Sequence, residues 1–276
     1  MTESRTYNPE GSLLRRDQME QLNTLKFLAE ICRQNDIRWW LSSGTLLGAA
    51  RHKGFIPWDD DIDIVMLKED YKRLERILGD LESDEYFFQS IKTDVEYINI
   101  FGKLRRKSGC RDAKDRRNAY YKYTGVGLDI FAIEKTNRLS AVIAKFLYHN
   151  IQYPTSYIKT AWVRRPLVRL IEALHLGLIF PLLRIIGKIN FTGEYHYVLG
   201  TGWPKHTFHM KYTFPLTTAE FEGEQMPVPN DMDAYLTTVF GDWRTLPSED
   251  VIRKSIHCRE YLEEMFGTEA KILEKR

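Results

Sequence analysis

The sequence predicts an α+β protein, a mixed β-sheet flanked by helices with an additional mainly helical region. Two observations point there. Helical spacing and strand alternation interleave through the first half of the chain, and from Leu139 to Ile189 helical segments follow one another. With 276 residues, 43% of them hydrophobic, the chain can bury a sizeable core.

Leu22, Leu25, Leu28 and Cys32 recur at helical spacing and predict an amphipathic helix from Leu14 to Asp36. IRWWLSS reads as a strand ended by Ser43 and Gly44, TLLGAARH as a helix after a Ser-Gly turn, and KGFIPW as loop. DDIDIVM returns to strand before the helical KEDYKRLERILGDLE, and YFFQS, YINIFGKLRRK and VGLDIFAIE read as further strands. Beyond the helical region, MKYTFPL and FEGEQMPVP predict short strands. NDMDAYLTTVFG predicts a helix with Asn230 as N-cap and Gly241 as its stop.

The formal charge is +2, from 40 basic and 38 acidic residues, so no global field marks a nucleic-acid binder. Cys32, Cys110 and Cys258 are odd in number, far apart and outside metal-ligand spacing, which predicts a reducing, cytoplasmic setting. The polar opening MTESRTYNPEGSLLRRDQ has no apolar signal core. The most membrane-like stretch runs from Arg164 to Ile189, but its uncharged centre, Ala173 to Leu183, is shorter than the roughly 20 residues of a spanning helix. It reads as a helix pair packed on the domain. Arg164, Arg165, Arg169, Arg184 and Lys188 also allow peripheral contact through 164–189 with an anionic membrane, at the inner face of the plasma membrane.

The chemistry concentrates in GTLLGAARHKGFIPWDDDIDIVM, where Asp59, Asp60, Asp61 and Asp63 run into an apolar strand pattern. Alternation puts Asp59, Asp61 and Asp63 on one face and Asp60, Ile62 and Ile64 on the other. Carboxylates two apart on a strand lie about 6.5 to 7 Å apart at Cα, near enough to share a hard divalent cation, Mg²⁺ or Mn²⁺. A second carboxylate, Asp129, interrupts the apolar VGLDIFAIE and needs a partner, because a lone buried charge is costly. If the two strands are neighbours, Asp61, Asp63 and Asp129 meet at one sheet edge. Asp59 and Asp60 read equally well as loop or cap residues.

Gly44 and Thr45 open a helix shortly before this acidic strand, so the Thr45 and Leu46 amides and the Thr45 hydroxyl can hold a phosphate. Lys103 and Arg105 share one strand face and can meet phosphate charge, with Arg51 as a further candidate. His52 and Arg106 read as surface charges.

These residues carry a resemblance. The run GTLLGAARHKGFIPWDDDIDI is similar to the signature of the LicD family, bacterial proteins that transfer phosphocholine from CDP-choline to cell-surface glycans and relatives of the fukutin group of ribitol-phosphate transferases. FGKLRRKSG resembles the family's Lys-x-Arg strand, GLDIFAIE its Asp-Ile-Phe strand, and FEGEQMPVPNDMDAYLTTVFGDWRTLP its C-terminal segment. The likeness covers most of Gln21 to Pro247 and is weakest over about 139–208. Where many members continue the Asp-Ile-Phe strand with Pro-Leu-Asp, this chain has Ala132, Ile133 and Glu134, and Ser108 or Gly109 stands where threonine is frequent.

The resemblance implies a nucleotidyltransferase-like fold over a single domain of 1–276, with a catalytic sheet core at about 21–135, a helical insertion at about 138–190 and a C-terminal segment at about 195–276 packing on the core. It implies Gly44 and Thr45 at the nucleotide phosphates and Asp61, Asp63 and Asp129 as metal ligands and catalytic residues, with Mg²⁺ or Mn²⁺. The implied reaction moves phosphocholine from CDP-choline to a hydroxyl of a glycan precursor of teichoic acid, lipopolysaccharide or capsule type, which can be lipid-linked, and releases CMP. Choline would rest on aromatic faces, the candidates being Trp39, Trp40, Trp58, Tyr120, Tyr121, Tyr123, Trp203 and Trp243. The rival readings are a nucleotidylyltransferase, a transferase using CDP-ribitol or CDP-glycerol, and a noncatalytic membrane-associated glycan-binding module.

Overall fold

A computed structural model describes residues 7–109, 120–189, 192–201, 206–256 and 259–266. Cys110, Cys258 and Trp203, singled out above, lie outside the described residues. Cys32 is a buried free thiol, as its place on an apolar helix face requires.

The sheet is built from β1 (Trp40–Leu41), β2 (Asp63–Leu67), β3 (Tyr86–Gln89), β4 (Gly102–Arg106) and β5 (Gly127–Lys135) in the order β1-β2-β5-β4-β3, with β6 (Tyr195–Tyr197) pairing the end of β5. β2 runs parallel to β5, and the other pairings are antiparallel. β5 is central and almost wholly buried, so its run of Leu128, Ile130, Phe131, Ala132 and Ile133 is apolar on both faces. Asp129 is the polar break in that run.

Helix α1 (Leu13–Gln34) starts at Ser12, whose hydroxyl accepts the Arg15 amide, and buries Leu14, Leu22, Leu25, Leu28 and Cys32. Helix α2 (Ser43–His52) links β1 to the acidic loop, and α3 (Lys68–Gly79) follows β2 and buries Tyr71, Leu74 and Leu78. The first strand is only two residues long, and β4 begins at Gly102 rather than at the preceding YINIF. Gly102 fits there because a Cβ would stand 2.6 Å from the Phe88 ring.

Two C-terminal expectations are corrected. MKYT forms a short helix, α7 (Met210–Thr213), closed by the Thr213 hydroxyl donating to the His209 carbonyl, rather than a strand. The N-cap of α8 (Met232–Phe240) is Asp231, whose carboxylate accepts the Ala234 amide at 2.9 Å, rather than Asn230. Gly241 ends that helix at φ 71, as expected.

FEGEQMPVP belongs to a hairpin of β7 (Thr217–Phe221) and β8 (Glu224–Val228), turned by Glu222 and Gly223 with φ 52 and 80. The Glu222 carboxylate accepts both terminal nitrogens of Arg15, at 3.1 and 2.7 Å, and the Phe55 amide at 3.0 Å. It thereby fastens the loop before the acidic cluster to α1. Gly54 leaves room for this carboxylate, since a Cβ would lie 2.4 Å from it.

The helical region holds α4 (Arg138–Leu147), irregular turns at Tyr148–Gln152 and Tyr153–Tyr157, then α5 (Ala161–Leu174), a wide turn at His175–Ile179 and α6 (Phe180–Gly187). The last three form one helical run from Ala161 to Gly187, of 27 residues, long and apolar enough to cross a membrane by length and composition. The uncharged centre, Ala173 to Leu183, lies inside this longer run. The run continues through Pro166 inside α5 and through Pro181, which follows the wide turn at His175–Ile179. Glu134, at the site of the departure from Pro-Leu-Asp, ties the region to the sheet by pairing with Lys68 and accepting Arg184 at 2.9 Å.

Candidate active site

Strand pairing fixes a row of three charges. Asp63 on β2 stands opposite Asp129 on β5, and Asp129 stands opposite Lys103 on β4. The Lys103 ammonium donates to the Asp129 carboxylate, and the Asp129 amide donates to the Ile62 carbonyl at 2.8 Å. The partner that Asp129 needed is therefore a lysine two strands from Asp63, beside a second carboxylate.

The turn before α2 holds the other side of the row. The Ser42 amide donates to the Asp63 carbonyl at 3.1 Å, and the Thr45 hydroxyl accepts the Asp63 amide at 2.8 Å. Ser43 sits at φ 49, a left-handed backbone that non-glycine residues seldom adopt, and its hydroxyl bonds the Asp63 carboxylate. Tyr235, fully enclosed, meets the Ser42 hydroxyl at 3.0 Å and accepts the Trp40 indole at 3.2 Å, so α8 anchors this turn.

Thr45, expected at the phosphates, also supports the strand: its hydroxyl accepts the Asp63 amide, while the Leu46 amide donates to the Ser42 carbonyl at 3.0 Å. The Thr45→Val variant should lose about 1–3 kcal/mol through the stranded Asp63 amide. Chemical denaturation would show it, and unchanged stability would remove Thr45 from this role.

Asp59, Asp60 and Asp61 bring carboxylate oxygens within 4.8 Å of one another. Strand β2 starts only at Asp63, so this cluster is a loop, yet the alternation persists: Asp60 and Ile62 are buried while Asp59, Asp61 and Asp63 are half-exposed. Two buried glutamines of α1 hold the loop, Gln18 donating to the Asp59 carbonyl at 2.8 Å and Gln21 to that of Asp60 at 3.0 Å. Asp59 lies over Gly44, where a Cβ would stand 2.5 Å from its carboxylate oxygen. Sequence reasoning left Asp59 as a possible cap and missed Ser43 and the two glutamines. The signal for the latter was polar residues three apart on an apolar helix face.

The carboxylates repel. Burial first, then Asp61 and Asp60, push the Asp59 carboxyl well above the usual range, and burial, Asp61 and Asp129 do the same to Asp63 against the opposing pull of Lys103 and Ser43. Among the described residues the groups that converge beside Lys103 are hard oxygen donors, and a cation is what would relieve their repulsion. The residues present therefore fit a divalent metal.

The remaining candidates divide. Arg105 shares the face of Lys103 but is 8% exposed, donating to Gln89 at 2.6 Å and to the Gly125 carbonyl at 3.0 Å. Arg51 donates to the Trp243 carbonyl at 3.2 Å and binds the end of α2 to the C-terminal segment. Among the aromatic candidates, Trp39, Trp40 and Trp58 are core residues, and Arg164 covers the Tyr120 ring at 3.9 Å. Rings that the sequence did not single out adjoin the row: Phe131, two residues beyond Asp129, packs on Phe101 at 4.6 Å and Tyr197 at 5.3 Å, and Tyr97 joins Phe101 to Tyr121, one of the aromatic candidates named above.

Comparison with known proteins gives this site a context. Residues 36–169, which hold Gly44, the acidic loop, Lys103 and Asp129, match the family described as LicD/FKTN/FKRP, nucleotidyltransferase domain. The chain is 29% identical to the lipopolysaccharide cholinephosphotransferase LicD of Haemophilus influenzae over 266 residues, which cover 90% of this chain and 97% of the relative. It is 47% identical over 133 residues to an uncharacterized protein of Rickettsia prowazekii, covering 48% of this chain and 38% of that one. It is also 39% identical over 56 residues to the human ribitol 5-phosphate transferase FKRP, covering 20% of this chain and 11% of FKRP. The mixed sheet, the acidic loop and the family match coincide on the same residues, and over 36–169 the chain is therefore similar to the nucleotidyltransferase domain of the LicD/FKTN/FKRP family.

Proposed function

We propose that this protein transfers a phospho-alcohol, phosphocholine from CDP-choline, to a hydroxyl of a cell-surface glycan precursor, with release of CMP. The observation that carries the reading is the row Asp63, Asp129 and Lys103 across three adjacent strands, with Asp59 and Asp61 beside it. The near full-length likeness to a cholinephosphotransferase supports the choice of donor.

Asp61 and Asp63 would hold the metal, Mg²⁺ or Mn²⁺, with Asp59 or Asp129 completing the set. When bound, such an ion neutralises diphosphate charge and stabilises the charge that develops on the leaving CMP. Lys103 lies one strand from Asp129 and two from Asp63, where its ammonium can leave Asp129 for a phosphate oxygen. Asp129 then accepts the proton of the acceptor hydroxyl as that oxygen attacks phosphorus and the bond to CMP breaks. Arg105, tied to Gln89 and Gly125, positions β4 rather than touching phosphate. The Phe101 ring next to Lys103 and the Tyr121 ring, both packed on the buried Tyr97, offer π faces to a quaternary ammonium. The three dispersed cysteines support a reducing, cytoplasmic site of action.

The test is titration of the purified protein with CDP-choline, CDP-ribitol, CDP-glycerol and CTP, with and without Mg²⁺, followed by product analysis. Metal-dependent binding selective for CDP-choline, with CMP released, is expected. Selectivity for CDP-ribitol, the donor class suggested by the FKRP likeness, would move the substrate and keep the chemistry. Pyrophosphate release from CTP would replace the reaction by nucleotidyl transfer, and no nucleotide binding would overturn catalysis.

A further inference from the structure

The helical run Ala161–Gly187 is apolar on both faces. Its buried face sets Val168, Ile171, Phe180 and Leu183 beside polar groups: Arg164 is 3% exposed and donates to Glu96 at 2.8 Å, while Glu172 and His175 are 5% and 2% exposed. Its outward face carries leucine and isoleucine. Leu170, Leu174, Leu178, Leu182 and Ile185 recur at three- and four-residue steps and are 47% to 62% exposed. Helix α4, packed against α6, adds Leu139, Val142 and Phe146 at helical spacing, each 45% to 63% exposed. A surface helix in water keeps its outward face polar, and an apolar area of this extent marks a contact site.

Charge identifies what covers it. From Thr136 to Ile189 the chain has eight lysines and arginines and one acidic residue, the buried Glu172. Lys145, Lys159 and Lys188 are exposed among the apolar side chains. Trp162, 80% exposed, and Tyr157, 56% exposed, stand at the opening of the run, the residue types that settle at the boundary between headgroups and acyl chains.

We propose that residues 138–189 form a docking face for an anionic lipid bilayer, with the run lying in the interface rather than crossing it. Crossing would strip Arg164 from Glu96 and Arg184 from Glu134, the pairs that hold the run to the domain. This also corrects the expectation that Arg164 and Arg184 reach headgroups, since both turn inward and the exposed lysines take that part. A second copy is the weaker occupant, because two faces of the same positive sign would meet. The inference does not rest on the catalytic reading.

The test is flotation of the full chain with vesicles of phosphatidylcholine alone and of phosphatidylcholine mixed with phosphatidylglycerol. Flotation is expected on the mixed vesicles and should weaken as salt is raised. A variant carrying Leu170→Ser, Leu174→Ser and Leu178→Ser, all outward-facing, should keep its circular dichroism and lose more than about tenfold of its partitioning. A second variant with Lys145→Gln, Lys159→Gln and Lys188→Gln should lose the preference for the anionic lipid. Flotation that is absent, equal on both lipids or unchanged in the serine variant would overturn the proposal. So would concentration-dependent self-association that the serine variant abolishes in a protein that does not float.

Discussion

Replacing Asp63 by asparagine should reduce CMP release by at least about a hundredfold while leaving the fold intact. The side chain lies between Asp61 and Asp129 and is bonded by Ser43, and burial together with those neighbours already disfavours its charge. Asparagine keeps the shape and removes the repulsion, so the metal-free variant should melt no lower than the parent. It also removes the ligand, so the shift in melting temperature on adding Mn²⁺ should shrink. Asp61→Asn should behave alike. A turnover within a few-fold of the parent in either variant would exclude the acidic cluster as the reacting centre. Melting far below the parent would instead assign Asp63 to folding.

The second large effect is expected at Gly44. An alanine methyl would stand 2.5 Å from the Asp59 carboxylate, so the side chain that must give way is a ligand candidate. Since that side chain can rotate outward, Gly44→Ala should fold, bind metal about 10- to 100-fold more weakly and lose turnover in proportion. Gly48, one turn further along α2, provides the contrast. Its Cβ would meet the Gly54 carbonyl oxygen at 2.4 Å and the Ile56 amide nitrogen at 3.1 Å, both backbone atoms of the adjoining loop. Gly48→Ala should therefore cost about 1–3 kcal/mol of stability. Metal titration beside chemical denaturation separates the two. If Gly44→Ala bound Mn²⁺ as the parent does, Asp59 would not be part of the site.

The two variants mark the boundary between what the chain shows in one dimension and what needs three. Asp61, Asp63 and Asp129 were legible because each is a carboxylate in a strongly apolar local pattern, and side-chain direction in an extended segment depends on nearest neighbours alone. Lys103 was legible for the same reason. The helices α1, α2, α3 and α8 followed from periodicity, and the Asp231 cap was misplaced by one residue because either side chain can cap.

Partners distant in sequence were not legible. The sequence could suggest that Asp129 needed a partner, but only the order β2-β5-β4 set Asp63 on one side of it and Lys103 on the other. Only the sheet brought the Asp63 amide to the Thr45 hydroxyl, and only the hairpin turn laid Glu222, part of a segment expected to be a short strand, between Arg15 and Phe55. Composition likewise gave the run after Ala161 as apolar and basic, but which of its faces meets the domain is decided by Glu96 and Glu134, residues far from it in the chain. The sequence by itself determined the local elements and the carboxylates on them, because those depend on short-range sterics and hydrophobic period. The tertiary structure alone decided which polar groups satisfy one another, because a hydrogen bond or ion pair is chosen by proximity in space.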